Sequence, residues 1–355
     1  MSSAEPFTPS PRRYRVVQWA TGTIGRSVIR GVMDRDDMEL AGAWVHTPAK
    51  VGADAGVLAG RAPIGVAATG DLDDILDLDA DCVIFAASPV HDRFAELDTL
   101  CALLSSGKNL ISLSGLVYPR AHGPHFVNEL EQACKRGGVS VHGSGVSHGF
   151  MADVMPLMLA RLSRRITHVY ARECTDFARH PSWRMVHDML GFGKNEEAYL
   201  RSLRPRRAAM RTLYSESLHL IAAGLGVDLD EIDVDAAHRL ARTDLATAAG
   251  PVPRGTVAAA RWTFSGIAAG RPVITLEIVH KANAARMCGE WGRPGYSLRV
   301  DGRPSLTLAA DRDWASDEIS AATAHALNSV PAVCAAEPGI RTYLDLPMIS
   351  GRMHL

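Results

Sequence analysis

Between Arg15 and Met33 an apolar run, a small-residue turn and a helical pattern follow one another without a spare residue. The run Arg15-Val16-Val17-Gln18-Trp19 stops at Ala20, glycines occupy positions 22 and 25, and apolar residues recur at helical spacing from Ile24 to about Met33. A strand–turn–helix of this kind is the setting in which a G-x-G-x-x-G loop has physical meaning. Gly22 lets backbone N–H groups approach a pyrophosphate, and the helix N-terminus adds its partial positive charge. Ala20 stands where that fingerprint has its first glycine. Thr21, Gly22, Thr23, Ile24 and Gly25 are therefore expected to line a dinucleotide.

The same alternation continues. Met38–Val45 reads as the second strand and ends in His46-Thr47-Pro48 without an acid. NAD-selective sites place Asp or Glu there for the ribose 2′-OH, and that carboxylate repels a 2′-phosphate. His46, Thr47 and Lys50 in its place favour NADP, with NAD as the alternative. Asp71–Leu78 reads as a short helix, Asp81–Ser88 as a buried strand, Phe94–Leu104 as a helix and Asn109–Leu113 as a strand. Phe126–Arg136 is a helix stopped by Gly137-Gly138, and Val139–His142 is one more strand before the glycine-rich loop 143–150. Strands alternating with helices of this length give an α/β, doubly wound parallel (Rossmann) sheet. Its ligands sit outside the carboxyl ends of the strands, which adds Ala87, Ser88, Ser114 and Gly115 to the cofactor side.

After about residue 152 the pattern changes. Thr167–Thr175 alternates as a strand, Trp183–Leu190 and Glu196–Leu203 look helical, and Arg206–Ala223 is a long amphipathic helix ending at Gly224. Asp228–Asp235 reads as an acidic turn. Val257–Ser265, Val273–Ala282, Tyr296–Val300 and Ser305–Ala310 alternate with period two, and Asp301-Gly302 is a hairpin signal. The second half is thus expected to be α+β, its largely antiparallel sheet open on one face. The reading divides the chain into a flexible tail (1–13), a dinucleotide domain (14–152), a substrate and dimerisation domain (153–312) and a C-terminal segment (313–355). That last segment reads as a helix, Asp317–Ser329, with no sheet of its own, returning to the first domain.

Composition narrows the partners. With 38 basic and 39 acidic side chains among 355 residues, nothing points to nucleic acid or an anionic membrane. Apolar runs break well before the roughly 20 residues a membrane span needs. The six cysteines form no C-x-x-C pair and have no matching histidine spacing, so neither zinc nor a disulfide framework is expected, and a cytoplasmic location fits.

Several segments together resemble one family: Val17–Arg26, Lys50–Gly56, Gly145–Phe150, Asp188–Gly193, Asn328–Val333 and Pro338–Ile340. It is the group similar to dihydrodipicolinate reductase at the N-terminus, whose members include 2,4-diaminopentanoate dehydrogenase and the native amine dehydrogenases. The resemblance spans nearly the whole chain. It implies a Rossmann domain, an α+β substrate and dimerisation domain, and NAD(P)-linked chemistry at a C–N bond of an amine, imine or ketone substrate. The chain departs from it at one place. Amine-dehydrogenase members are expected to carry a carboxylate just after the strand ending at Leu113, and here the residues are Ser114-Gly115-Leu116-Val117. A carboxylate stabilises a cationic C=N nitrogen during hydride transfer, so its role must be filled elsewhere. Tyr118, Asp176 and His180 are the candidates, beside their plain readings as a strand-end tyrosine, a turn aspartate and a loop histidine. His148, Phe150, Cys174 and His280 are expected as pocket residues. Without a nitrogen-directed acid, two alternatives stand beside amine chemistry: an NADPH-dependent carbonyl reductase, and a nucleotide-binding protein without turnover.

Overall fold

The computed structural model describes residues 13–87, 93–287, 289–310, 317–351 and 353. In chain order the first sheet and its helices are β1 (Tyr14–Trp19), α1 (Thr23–Met33), β2 (Met38–Trp44), α2 (Ala55–Leu58), β3 (Ala68–Thr69), α3 (Leu72–Leu76), β4 (Cys82–Phe85), α4 (Leu97–Ser105), β5 (Asn109–Ser112), α5 (Pro124–Gly137) and β6 (Ser140–Gly143). Then come α6 (Val154–Ala160), β7 (His168–Asp176), α7 (Glu196–Arg201), α8 (Leu203–Leu225), β8 (Glu231–Leu240), β9 (Val257–Ala268), β10 (Arg271–Lys281), β11 (Gly295–Asp301), β12 (Leu306–Ala310), α9 (Glu318–Cys334) and β13 (Gly339–Ile340).

The α/β fold class holds. Seven strands pair in the order β13-β6-β5-β4-β1-β2-β3, every pair parallel. β1 lies between β2 and β4, so the chain leaves it in both directions, and the crevice outside its carboxyl end is the expected ligand position. Strands buried on both faces need apolar residues throughout, and Val16, Val17, Val83, Ile84, Leu110 and Ile111 are fully buried. Each such side chain contributes about 1.5–3 kcal/mol. On α1 the positions Val28, Ile29 and Val32 form the inward stripe.

The second sheet has the order β12-β11-β7-β10-β9-β8, and only the central β7–β10 pair is parallel. Its inner face carries Val169, Ala171, Phe264, Leu276 and Ile278 under α8, where Tyr214 stacks on Phe264 with centroids 4.8 Å apart. Its outer face is polar and partly exposed, with Arg172 paired to Glu277 at 3.0 Å and Arg299 over the Tyr170 ring.

Three sequence expectations need correction. Residues 228–235 are not simply an acidic turn: β8 begins at Glu231, with Ile232 and Val234 inward and Glu231, Asp233 and Asp235 in solvent. Its outward acids suit an edge strand, and they masked its period. The long helix runs on to Leu225 and stops at Gly226, whose φ of +67° supplies the left-handed cap. The C-terminal segment does have a strand: after α9, Gly339–Ile340 pairs with Ser140–Val141 and extends the first sheet. α9 packs on α1, where Ser27 Oγ lies 3.2 Å from Thr323 Oγ1 and Arg35 Nη1 donates to Asn328 Oδ1 at 2.8 Å.

Candidate functional site

The carboxyl ends of β1, β4, β5 and β6 share one edge, and their four turns form its rim. In the β1 turn Ala20 adopts φ +69°, which explains why a glycine suits that position. Gln18 Nε2 holds the Trp19 and Ala20 carbonyls at 2.8 Å each. A Cβ on Gly25 would collide with the Ala20 carbonyl oxygen, so that glycine serves helix–strand packing. Gly22 is different: it caps α1 with an ordinary φ of −71°, and a Cβ there would meet nothing within 4 Å. The protein's own packing does not need that glycine. The space beside it is open for a ligand at the helix N-terminus, where the first N–H groups point outward.

Lys50 reaches this turn from the end of β2, its Nζ 3.1 Å from the Thr21 carbonyl oxygen and 3.3 Å from Thr21 Oγ1. His46 and Thr47 beside it are exposed, and the Trp44 ring stacks on Trp19 at 4.1 Å. A cation, an imidazole and a hydroxyl thus stand where an NAD-selective site has a carboxylate. Further along the edge, Ser114 Oγ donates to the Ala87 carbonyl at 2.5 Å, which fixes the β4 and β5 turns together around Gly115. Ser88 lies outside the described residues.

The β6 turn, residues 144–150, is held from several sides. His325 of α9 donates from Nδ1 to the Gly145 carbonyl at 2.9 Å, Phe150 meets the His325 ring edge-on, and Tyr343 stacks on its other side. Asp153, fully buried, accepts from Gly149 N and Ser217 Oγ at 2.8 and 2.7 Å, and burial raises its carboxyl to about 6. His148 and Phe150 are half-buried in this turn.

Two buried glutamates bring the second domain onto this edge. Glu216 of α8 accepts from Tyr118 N at 3.1 Å and pairs with His122 Nε2 at 2.7 Å, which anchors the chain just after β5. Glu173 of β7 accepts from Ser147 Oγ of the β6 turn and from Thr175 Oγ1 at 2.7 Å. Burial raises the Glu173 carboxyl, while both hydroxyls pull it back down. Neither glutamate stood out in the sequence reading. The visible signal for Glu173 was an acid in the inward phase of an otherwise apolar alternation, Val169, Ala171, Glu173.

The expected catalytic residues separate. Tyr118 stacks on His219 of α8 with centroids 6.3 Å apart. Asp176 ends β7, but its Oδ1 accepts from Ala178 N at 3.0 Å and Ala284 N at 3.1 Å, the work of a turn residue. Strand alternation puts Asp176 and Cys174 on the opposite side of β7 from Glu173 and Thr175. Cys174 is buried on that opposite side, and burial raises its thiol. His280 pairs with Thr175 across β7–β10 on the inner face. It is buried, Nδ1 has no protein partner, and burial lowers its imidazole to about 4, so it is neutral. Phe177 stands edge-on to His280 at 5.3 Å and 5.5 Å from His180, whose imidazole burial also lowers. The inner face at this end of the sheet therefore carries Glu173, Thr175 and His280, with Phe177 against His280, and Ser147 of the β6 turn meets it at Glu173. Among the described residues no group of three or more His, Cys, Asp or Glu side chains is arranged to hold a metal ion.

Known proteins share this two-sheet plan. Residues 16–103 match the family described as dihydrodipicolinate reductase, N-terminus. An amine dehydrogenase of Streptomyces virginiae is 29% identical over 94% of this chain and 96% of its own length. A 2,4-diaminopentanoate dehydrogenase of Acetoanaerobium sticklandii is 22% identical over 79% of this chain and 77% of its own. The solved structure of an amine dehydrogenase from Mycobacterium smegmatis superposes with a TM-score of 0.81 at 22% identity, covering 96% of this chain and 97% of that one, and so shares the fold. Residues 150–354, more than half of the molecule, match the 2,4-diaminopentanoate dehydrogenase C-terminal domain, and the chain belongs to that family.

Proposed function

We propose that this chain is an NADP(H)-dependent enzyme that transfers hydride to or from a C–N bond of a small, mostly apolar amine or imine. By family it is an NAD(P)-dependent oxidoreductase; the choice of NADP and the substrate are our reading. One observation carries it: the β1 turn leaves open space at Gly22, at a helix N-terminus, with Lys50 rather than an acid beside it. Backbone N–H groups of residues 22–25 would hold the pyrophosphate, while Lys50, Thr47 and His46 would meet a 2′-phosphate. Ala87, Ser114 and Gly115 would lie under the nicotinamide end. Bound there, the cofactor supplies or accepts a hydride.

The chain's own residues do the rest. His148, Phe150, Phe177 and the neutral His280 enclose the substrate, and their low polarity strengthens any charge interaction inside. His180, half-buried beside Phe177, is available for proton exchange, and Tyr118 offers a phenol just after the β5 turn. Two copies are expected to meet through the outer face of the second sheet, which size-exclusion chromatography with light scattering checks.

The deciding experiment titrates the pure protein with NADPH and NADH, then adds ketone with and without ammonia. Tight NADPH binding, with oxidation only when ammonia is present, is the expected result. Equal oxidation without ammonia makes the protein a carbonyl reductase, and binding without any oxidation makes it a nucleotide-binding protein.

A further inference from the structure

The acid missing from the β5 turn has a counterpart on the opposite wall. On the inner face of the two central strands, β7 contributes Val169, Ala171, Glu173 and Thr175, and β10 contributes Ile274, Leu276, Ile278 and His280. Only Glu173 and His280 among them titrate, and His280 is neutral. On these two strands a negative charge can sit only on Glu173, and Glu318 of α9 nearby, raised to about 8 by burial first and by Glu173 second, keeps its proton at neutral pH. The two oxygens of Glu173 are used in different directions: one receives the hydroxyl of Ser147 in the β6 turn, the other that of Thr175, the register partner of His280. Ser147 Oγ also lies 3.3 Å from the Tyr214 hydroxyl of α8. A buried carboxylate carries a desolvation cost that two hydroxyl donors offset only in part. A glutamine or an apolar residue would fill the same place more cheaply if packing were the only requirement.

We propose that Glu173 is a positioning residue for the C–N chemistry. It ties the nicotinamide-side turn to the strand wall of the substrate pocket, and it brings to that junction the negative charge that the β5 turn lacks. This rests on the functional reading above. A carboxylate held in a water-poor site stabilises a neighbouring cationic nitrogen strongly, whereas it does nothing for a neutral ketone. Glu173 transfers no proton in this scheme; it holds Ser147 and Thr175 in place and supplies a fixed field.

The test compares wild type with Glu173→Gln, Glu173→Ala, Ser147→Ala and the Glu173→Ala/Ser147→Ala double variant. NADPH affinity, steady-state kinetics with ketone plus ammonia, and amide hydrogen exchange of the 144–153 segment are measured on each. Glu173→Gln keeps the shape and one acceptor, so exchange and NADPH affinity are expected to stay within about twofold, while kcat falls about tenfold or more through loss of the charge. Glu173→Ala is expected to lose more in kcat and to speed exchange at Met151 and Ala152, whose N–H groups bond to Val146 and Ser147. Adding Ser147→Ala to it should cost nothing further, because both act through one contact. Unchanged kcat in Glu173→Gln, or additive losses in the double variant, overturns the proposal. If wild type binds NADPH yet turns over neither ketone nor amine, the functional reading falls. Exchange then decides the tie: faster exchange in Glu173→Ala confined to 144–153 upholds it, and unchanged or uniformly faster exchange removes it.

Discussion

Single positions around the β1 turn have opposite requirements. Gly25 answers to the protein, since a side chain would strike the Ala20 carbonyl; Gly22 does not, since a Cβ meets nothing. Gly22→Val should therefore fold with a melting temperature within about 2 °C of wild type, yet lose NADPH affinity by about 100-fold or more. Retained affinity in a fluorescence titration would move the cofactor elsewhere. Ala20 holds a left-handed φ of +69°, which costs a non-glycine residue about 1 kcal/mol. Ala20→Gly should raise stability to urea by about that amount, less some chain entropy. Lys50→Ala should weaken NADPH about tenfold and leave NADH nearly unchanged, because its partner would be the 2′-phosphate. At this scale the sequence was readable where spacing carries meaning, as in the turn 20–25. It pointed to Asp176 and passed over Glu173, which strand phase puts on the inner face. Both are acids near one strand end, and only the phase of β7 separates them.

Among the elements, α8 is the one whose role sequence understated. Its amphipathic pattern was plain, and it does cover the second sheet. Helical periodicity has no means, however, of announcing that Glu216 on its buried side reaches across to the other domain. There the carboxylate receives Tyr118 N and pairs with His122, all three partners buried or half-buried. Removing one member of such a pair leaves its partner's polarity uncompensated. Glu216→Ala should cost about 3 kcal/mol in chemical denaturation, whereas Glu216→Gln should cost less than half of that. β8 shows the complementary difficulty, a real strand whose outward acids resembled a turn. Strands with two buried faces, β1 and β5, were legible within a residue or two, because an unbroken apolar run has few other readings.

Over the whole molecule, buried ionisable groups set how stability follows pH. Glu318 at the start of α9 titrates near 8 in the folded protein against 4.5 ordinarily, first through burial and then through Glu173 nearby. Between those values the unfolded chain releases a proton that the folded chain keeps, so stability falls as pH rises. His142 and His280 work the other way: their folded values near 4 lie below 6.5, so stability is lost as pH falls through that window. From pH 6.5 to 8 the glutamate dominates. Wild type should lose about 1–2 kcal/mol over that range, and Glu318→Gln should abolish the decline in thermal unfolding followed by circular dichroism. The two-sheet plan was legible from alternation and turn signals. The short β13 was not, since two residues, Gly339 and Ile340, are too few to carry a period.

That short strand has a consequence for how the molecule is made. The first sheet opens with residues near the start of the chain and is completed at its edge by Gly339–Ile340, with α9 laid across α1. A ribosome delivers the nucleotide-binding half early, but its final edge strand and covering helix emerge only after the whole second domain has been synthesised. Until then the outer edge of β6 is unpaired and the α9-facing side of α1 is bare, a condition that invites association with other nascent chains. Truncations that spare every residue of the candidate site but stop before residue 318 would therefore leave the nucleotide domain itself unfinished.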